Sequence, residues 1–142
     1  MKIRPSVAII EKNHLLVMRY HYSGQDVYQL PGGNVEGIDT LEETIVRELQ
    51  EELLVEIEVG PLLLCGQTIN IAKHQSILHT VFSGKIIKGK PALNSEHTSA
   101  LEVLWLPLDL LDKINMYPNA GKFLKINPVT CQYVGVIEQN WF

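Results

Sequence analysis

The sequence predicts an α/β (α+β) domain in which a mixed β-sheet is sandwiched between α-helices. Runs typical of β-strands dominate both halves of the chain and are separated by Gly, Pro and Asn. Between residues 41 and 53 the hydrophobic period changes to about four, which indicates one amphipathic helix. A length of 142 residues, with 46% hydrophobic and 20% charged residues, fits a single globular domain over residues 1–142.

The first part of the chain reads as three strands. Residues 6–10 and 15–20 flank the polar run Lys12-Asn13-His14, which predicts a hairpin. Residues 27–30 predict a short third strand that ends at Pro31-Gly32-Gly33, a strong break in regular structure.

A helix is predicted over residues 41–53. Thr40 followed by Glu43 matches a capping box at its start. The apolar positions recur at every fourth residue and form an arc that we expect to face the core, namely Leu41, Ile45, Leu49 and Leu53 with Val46 beside them.

The second half of the chain alternates strands and short helices. Strands are predicted over residues 57–59, 62–71, 76–87, 101–106 and 132–137, and helices over residues 108–114 and 121–126. Gly84 and the run Gly89-Lys90-Pro91 are expected to interrupt the strands.

Composition argues against several functional classes. Cys65 and Cys131 have no Cys or His at metal-ligand spacing, so we expect buried free thiols rather than a zinc site or a disulfide. The apolar run at residues 7–10 is too short for a signal peptide or a membrane span, so we expect a cytoplasmic protein without a membrane partner. Basic residues are scattered, so no nucleic-acid partner is expected.

Acidic residues are concentrated in one segment. Residues 36–58 hold nine acidic residues and one basic residue, Arg47, a local charge of −8 in a chain of net charge −4. On a helical wheel Glu48 and Glu52 border the apolar arc and Glu51 lies just outside it, so three carboxylates converge. Arg47 is expected on a different face, where it cannot neutralise all three, whereas a divalent cation such as Mg²⁺ could. A solvated acidic helix face is the alternative interpretation.

Gly33, Asp39 and the run Arg47-Glu48-Leu49-Gln50-Glu51-Glu52 resemble the Nudix box in residue type and spacing. The preceding residues 30–36, Leu-Pro-Gly-Gly-Asn-Val-Glu, are similar to the run that leads into that box. Asp39 stands where the family usually has Glu, and Leu54 replaces the usual Gly. If Leu54 forms a left-handed C-cap, its side chain costs about 1 kcal/mol. The resemblance implies the Nudix fold over nearly the whole chain.

The resemblance also implies an activity, that of a MutT-like hydrolase dependent on Mg²⁺ (or Mn²⁺). Its substrate would be a small nucleoside diphosphate linked to another moiety, for example a nucleoside triphosphate. The implied metal ligands are Glu48, Glu51, Glu52 and Gly33, although Glu48 could instead orient the water as a base, and Arg47 would position the glutamates. Glu96 precedes a strand that contains Trp105 and is the candidate catalytic base or an additional metal ligand, with Glu102 as a weaker alternative.

The resemblance suggests substrate-binding residues as well. Gly32 and Gly33 would let the loop approach the phosphates, Arg19 would contact a phosphate, Tyr28 could stack on a base, and Asn119 would read the base. Structural alternatives stay open, because Arg19 could be an exposed strand-end residue, Tyr28 a core aromatic and Glu96 a surface-loop residue. A non-catalytic Nudix-fold module that binds a nucleotide or sugar nucleotide also remains open, as does a homodimer.

Overall fold

A computed structural model describes residues 1–125 and 131–139 of the chain. Its elements, in chain order, are β1 (Lys2–Glu11), β2 (His14–Tyr22), β3 (Gln25–Gln29), α1 (Leu41–Leu53), β4 (Glu56–Asn70), β5 (Gln75–Lys88), β6 (Glu102–Pro107), a 3-10 helix (Leu108–Leu110), β7 (Met116–Tyr117), α2 (Gly121–Leu124) and β8 (Gln132–Val136). The strands form one mixed sheet in the order β7-β3-β2-β1-β5-β4-β8, and β6 pairs with β2. No helix among the described residues is long and apolar enough to cross a membrane.

Along most of its length β1 is separated from β2, and this gap positions residues 31–40, which contain Gly32 and Gly33 and are called the glycine loop here. β1 pairs with β2 only at Ile10 and Glu11, and the rest of β1 pairs in parallel with β5. β3 pairs with the later part of β2, along the edge of β2 that β1 also contacts. β6 occupies the opposite edge of β2. The chain that leaves β3 then crosses to β1 through a bridge between Ser6 and Gly32. The loop that precedes α1 is therefore tied to the start of β1.

Two hydrophobic clusters lie on opposite faces of the sheet, because side chains alternate along each strand. One cluster joins Val7, Ile9, Leu16 and Met18 to the α1 residues Ile45, Leu49 and Leu53. The other joins Ala8, Leu15 and Val17 to Leu111, Met116 and the α2 residue Leu124. The predicted arrangement, a mixed sheet between helices, is confirmed.

The predicted limits of α1 and its capping box are confirmed, but one core assignment is wrong. Val46 is 37% exposed, whereas Thr44 is fully buried. Val46 and Thr44 flank the central stripe of the helix on opposite sides. The wheel alone does not show which side the curved sheet covers, and it covers the side of Thr44.

The strands and short helices differ from prediction in several places. β4 is one strand with register shifts near Val59 and Leu62 rather than two strands. Gly84 does not interrupt β5, where a Cβ at that position would lie 2.4 Å from Cγ2 of Val7. The helix predicted over residues 108–114 is only a 3-10 turn, and the two-residue strand β7 that follows was not predicted. The helix predicted to residue 126 is observed to Leu124, and residue 126 lies outside the described residues.

The predicted burial of both cysteines is also wrong. Cys131 is exposed and Cys65 is only half-buried. Cys131 directly precedes β8, which lies at the edge of the sheet, so no neighbouring strand covers it.

Candidate active site

Helix α1 starts at a complete capping box. The Thr40 hydroxyl accepts a hydrogen bond from the Glu43 amide at 3.1 Å, and the Thr40 amide donates to the Glu43 carboxylate at 3.0 Å. The backbone hydrogen bond from Thr40 is the main reason that the pKa of Glu43 is lowered. The first turn of α1 therefore stabilises the ionised carboxylate of Glu43.

The last turn of α1 ends at Leu54 in the left-handed conformation, with φ 59° and ψ 31°. Leu54 thus adopts the conformation in which we expect its side chain to cost about 1 kcal/mol. The Leu54 amide donates to the Gln50 carbonyl at 3.2 Å, so the cap keeps its hydrogen bond despite the unfavourable backbone angles.

The glycine loop lies directly against the glutamates. The Gly33 amide donates to the Pro5 carbonyl at 3.2 Å, which fixes the loop to β1. A Cβ at Gly33 would lie 2.5 Å from Cδ of Glu48, and a Cβ at Gly32 would lie 2.2 Å from the Pro5 carbonyl oxygen. Both positions therefore require glycine, Gly32 for the backbone of β1 and Gly33 for the Glu48 carboxylate.

Arg47 contacts four acidic residues, so the prediction that it projects away from the glutamates is wrong. Its Nη1 atom lies 3.1 Å from Glu48, 3.6 Å from Glu51 and 3.6 Å from Glu36. Its Nε atom lies 3.4 Å from Asp39, so the shorter carboxylate still reaches the arginine. The wheel fails here because an arginine side chain is long enough to bend back toward neighbouring turns.

The three glutamates show a gradient of burial and a shared electrostatic cost. The Glu48 side chain is 13% exposed and that of Glu51 is 37% exposed. Burial, followed by the charge of Glu48, raises the pKa of Glu52 from 4.5 to about 7. Burial also raises the pKa of Glu48, although Arg47 opposes this. At Glu48, therefore, the effect of burial outweighs the attraction of Arg47, which is itself larger than the repulsion from Glu51.

Glu96 lies in a loop that is attached to the end of α1. The Ala92 and Asn94 amides donate to the carbonyls of Leu53 and Glu52 at 3.1 and 3.0 Å. The Glu96 amide donates to the Asn94 side chain at 3.3 Å, and the Glu96 side chain is exposed. The loop brings this acid to the end of the helix that carries the glutamates.

The remaining candidates lie in two other places. Arg19 forms ion pairs with Glu102 at 3.1 Å and Asp26 at 3.4 Å, and Tyr28 is its cross-strand neighbour. Asn119 donates from its side chain to the Glu138 carbonyl at 3.0 Å and borders a cavity of about 300 Å³. The contacts of Arg19 and Asn119 are therefore with residues other than the three glutamates.

Sequence reasoning missed Arg4. Its Nη2 atom donates to the Leu30 carbonyl at 3.1 Å, and its guanidinium carbon lies 5.3 Å from the centre of the Tyr117 ring. The signal in the sequence was weak, because a single arginine near the start of a strand is ordinarily exposed.

The donor set fits a hard divalent cation, although the side chains are not already arranged as a coordination sphere. Among residues 1–125 and 131–139, no three His, Cys, Asp or Glu side chains are grouped as ligands. Arg47 holds carboxylate oxygens of Glu48 and Glu51 instead. Carboxylate oxygens are ligands that Mg²⁺ prefers, and one or two suffice when water and phosphate complete the shell. The absence of a Cβ at Gly33 lets the Glu48 carboxylate lie against the backbone of the loop, so these two possible oxygen donors are close together.

Comparisons with known proteins agree with this arrangement. The sequence model of the family described as "NUDIX domain" matches residues 2–125. The structure is similar to that of a MutT NUDIX hydrolase from Burkholderia pseudomallei, with 24% identity, a TM-score of 0.67, and coverage of 76% of this chain and 84% of that one. It is also similar to a MutT protein from Bacillus halodurans, with 14% identity, a TM-score of 0.73, and coverage of 95% and 88%.

An ADP-ribose pyrophosphatase from Streptococcus suis is similar as well, with 14% identity, a TM-score of 0.65, and coverage of 93% of this chain and 98% of that one. A search of curated proteins gave no match. At these identities the solved structures establish the fold, and the family match covers the segment that contains Gly33 and helix α1.

Proposed function

Because the chain belongs to the Nudix family, we propose that it is a Mg²⁺- or Mn²⁺-dependent hydrolase of a nucleoside diphosphate linked to another moiety. The first substrate to test is a nucleoside triphosphate, which a pyrophosphatase of this kind would hydrolyse to a nucleoside monophosphate and pyrophosphate. The observation that carries the proposal is the set of partly buried carboxylates at Glu48, Glu51 and Glu52, because burial raises the pKa values of Glu48 and Glu52 although Arg47 contacts Glu48. Ionised carboxylates that are unfavourable in the free protein are stabilised when a cation binds to them, and such groups are common at functional sites.

The ligands of the cation would be the carboxylates of Glu48, Glu51 and Glu52 and the backbone of Gly33. When bound, a divalent cation supplies polarisation of the phosphoryl oxygens and activation of a water nucleophile. Arg47 would hold the glutamates in position, since it already contacts Glu48 and Glu51. Gly33 would let the Glu48 carboxylate lie directly against the loop, because a Cβ at this position would overlap that carboxylate.

Glu96 would accept the proton of the attacking water. Its loop is attached to the backbone at Glu52 and Leu53, and its side chain is exposed and so able to turn toward the glutamates. Glu102 is a poorer candidate for the base, because its carboxylate is paired with Arg19.

The other moiety of the substrate would contact Arg19, Tyr28 and Asn119, as the family resemblance implies. A phosphate at Arg19 would compete with Asp26 and Glu102 for its guanidinium. β8 lies beyond the matched range but pairs with β4, which supports a single domain that includes this last strand.

A non-catalytic nucleotide-binding module is the second candidate, and Arg47 is the observation that favours it. Arg47 already holds the carboxylates of Glu48 and Glu51, so the site is partly neutralised without a cation. Such a module would bind nucleotides and leave them intact.

One experiment separates these functions. The protein is incubated with a panel of nucleoside triphosphates and nucleoside diphosphate derivatives, with Mg²⁺ or with EDTA, and release of phosphate or pyrophosphate is followed. We expect Mg²⁺-dependent turnover that Glu52→Gln lowers by about 10²–10³-fold and Glu43→Gln retains. Nucleotide binding without turnover on the whole panel would contradict the hydrolase and leave the binding module.

A further inference from the structure

A group of buried polar atoms near the start of β1 lacks hydrogen-bond partners among the described residues. The atoms are Nη1 of Arg4, Oγ of Ser6 and Nδ1 of His79. Arg4 and His79 are directly paired between β1 and β5, and Ser6 is two residues further along β1. All three side chains therefore lie on the same face of the sheet. Ser6 and His79 are fully buried, and unpartnered polar groups in such places are costly.

The surrounding contacts fix this group in place. Nη2 of Arg4 donates to the Leu30 carbonyl, and the guanidinium lies over the Tyr117 ring. The His79 ring meets the same Tyr117 ring edge-on at 5.0 Å, and its Nε2 atom lies 3.0 Å from the Thr68 hydroxyl. In Arg4, therefore, Nη2 donates to the Leu30 carbonyl and the guanidinium plane packs on Tyr117. Nη1 has no hydrogen-bond acceptor among the described residues.

Arg4 lies between the glutamates and the segment that contains Asn119. Leu30, its hydrogen-bond acceptor, directly precedes the glycine loop, and the Leu30 amide donates to the Tyr117 carbonyl at 3.0 Å. Burial lowers the pKa of Arg4, and the charges of Tyr117, Glu52 and Glu48 partly oppose this, so the guanidinium is within electrostatic reach of the glutamates. A substrate that extends from Glu52 toward Asn119 would pass Arg4.

We propose that Arg4 determines substrate specificity by donating hydrogen bonds from Nη1 to a carbonyl oxygen on the base of the bound nucleotide. The inference rests on the proposed function. Arginine donates hydrogen bonds and never accepts them, so the donors of Nη1 match a single carbonyl acceptor such as O6 of guanine or O4 of uracil. Adenine and cytosine carry an amino group at the corresponding position, and its N–H donors would face the N–H donors of Nη1 without forming a hydrogen bond. The site should therefore prefer guanine and uracil to adenine and cytosine.

His79 supports this preference without adding a competing charge. Burial, followed by the charge of Arg4, lowers the pKa of His79 to about 3, so the ring is neutral at physiological pH. Nη1 is buried but Arg4 as a whole is only half-buried, so the proposal requires its guanidinium to turn toward the surface when a base binds.

The test compares two ligands that differ only in the C6 carbonyl group of the base and in the N1 proton that accompanies it. Guanosine monophosphate and 2-aminopurine riboside monophosphate are titrated calorimetrically into the protein without metal, so that catalysis plays no part. We expect wild type to bind guanosine monophosphate about 10-fold or more tightly, in line with the discrimination of one arginine–base pair. Arg4→Met should remove this preference and Arg4→Lys should reduce it. Lys2→Met, which removes an exposed charge from the same face of β1, is the matched control and should retain the preference.

A second measurement uses wild type alone, in case the variants fold poorly. In protein labelled with ¹⁵N-arginine, the side-chain resonances of Arg4 should shift on addition of guanosine monophosphate and not on addition of the 2-aminopurine nucleotide. Unshifted resonances would mean that a buried water satisfies Nη1, and the proposal would be wrong. Equal affinity of wild type for both nucleotides, or a preference that survives Arg4→Met, would also overturn it.

The result also distinguishes this inference from the proposed function. A base preference that depends on Arg4, in a protein that hydrolyses nothing, contradicts the hydrolase alone. Mg²⁺-dependent hydrolysis with no such preference contradicts the role of Arg4 alone.

Discussion

Glutamates lie at both ends of helix α1, but their pKa values are shifted in opposite directions. At the first turn, Glu43 accepts a backbone hydrogen bond from Thr40, and its pKa is lowered. At the last turns, Glu48 and Glu52 are partly buried next to each other, and their pKa values are raised. The first arrangement stabilises the helix, whereas the second costs stability in the protein without metal.

This contrast separates an acid that stabilises the helix from the acids that we propose bind a cation. A capping glutamate is satisfied by the chain itself and needs nothing else. The glutamates of the last turns lie beside a loop that lacks a Cβ at Gly33 and share one arginine, Arg47. The comparison predicts that each end of the helix responds to substitution in its own way.

The largest effect should come from isosteric changes at the end with raised pKa values. Glu52→Gln and Glu51→Gln each remove one charge needed to hold the cation, and we expect turnover to fall by about 10²–10³-fold, the range for loss of one electrostatic group in an active site. The same change at the other end, Glu43→Gln, should leave turnover intact and lower stability by less than about 1 kcal/mol. Steady-state kinetics and urea unfolding of the three variants check this. Equal losses of activity at Glu43 and Glu52 would erase the distinction.

A smaller loss is expected from the loop that faces the glutamates. In Gly33→Ala the added methyl group would overlap Glu48 and displace its carboxylate, and we expect a loss of about 10- to 100-fold in turnover, as for other groups that orient metal ligands. Gly37→Ala in the same loop is the control, because it has free space but a positive φ of 56°. That variant should lose about 1 kcal/mol of stability and keep its activity. Full activity in Gly33→Ala would show that the position of Glu48 is unimportant.

Stability without metal should depend on pH through Glu52. Its pKa in the folded protein, about 7, lies above the ordinary value of 4.5, so the folded state favours the protonated acid. This contribution is complete below about pH 4.5 and is lost as the pH rises through 7. In EDTA, the free energy of unfolding of wild type should therefore fall relative to that of Glu52→Gln over this window. Urea unfolding at a series of pH values measures the difference, and a constant difference would contradict the raised pKa.

The smallest expected effect concerns the cap that closes the helix behind the glutamates. Leu54→Gly should relieve the left-handed strain and raise the free energy of unfolding by up to about 1 kcal/mol. Leu54→Ala keeps a Cβ and should give no such gain. Thermal melts of both variants test this, and equal stabilities would show that the cap is not strained.

The sequence predicted α1 well because local physics determines it. The capping box at Thr40, the period of four and the left-handed Leu54 all depend on neighbours within one or two turns. Where the pattern failed, the cause lay in distant parts of the chain. Val46 is exposed because the sheet covers the opposite side of the helix, and the two-residue β7 exists only because Met116 and Tyr117 pair with β3.

The candidate site shows the same division. The glutamates and the glycine loop were visible as spacing in one short segment. Arg4 was not, because its partners His79, Leu30 and Tyr117 come from other strands. The ion pairs of Arg47 also depend on rotamers, which spacing does not determine.

The most direct test of the central claim, that the last turns of α1 form a divalent-cation site, measures the ion itself. Mn²⁺ is titrated into wild type, Glu51→Gln, Glu52→Gln and Glu43→Gln, and free Mn²⁺ is followed by its electron paramagnetic resonance signal, with no substrate present. Wild type and Glu43→Gln should bind Mn²⁺ with the same affinity, and Glu51→Gln and Glu52→Gln should bind it at least about 10-fold more weakly. Equal Mn²⁺ binding by all four proteins would contradict the account.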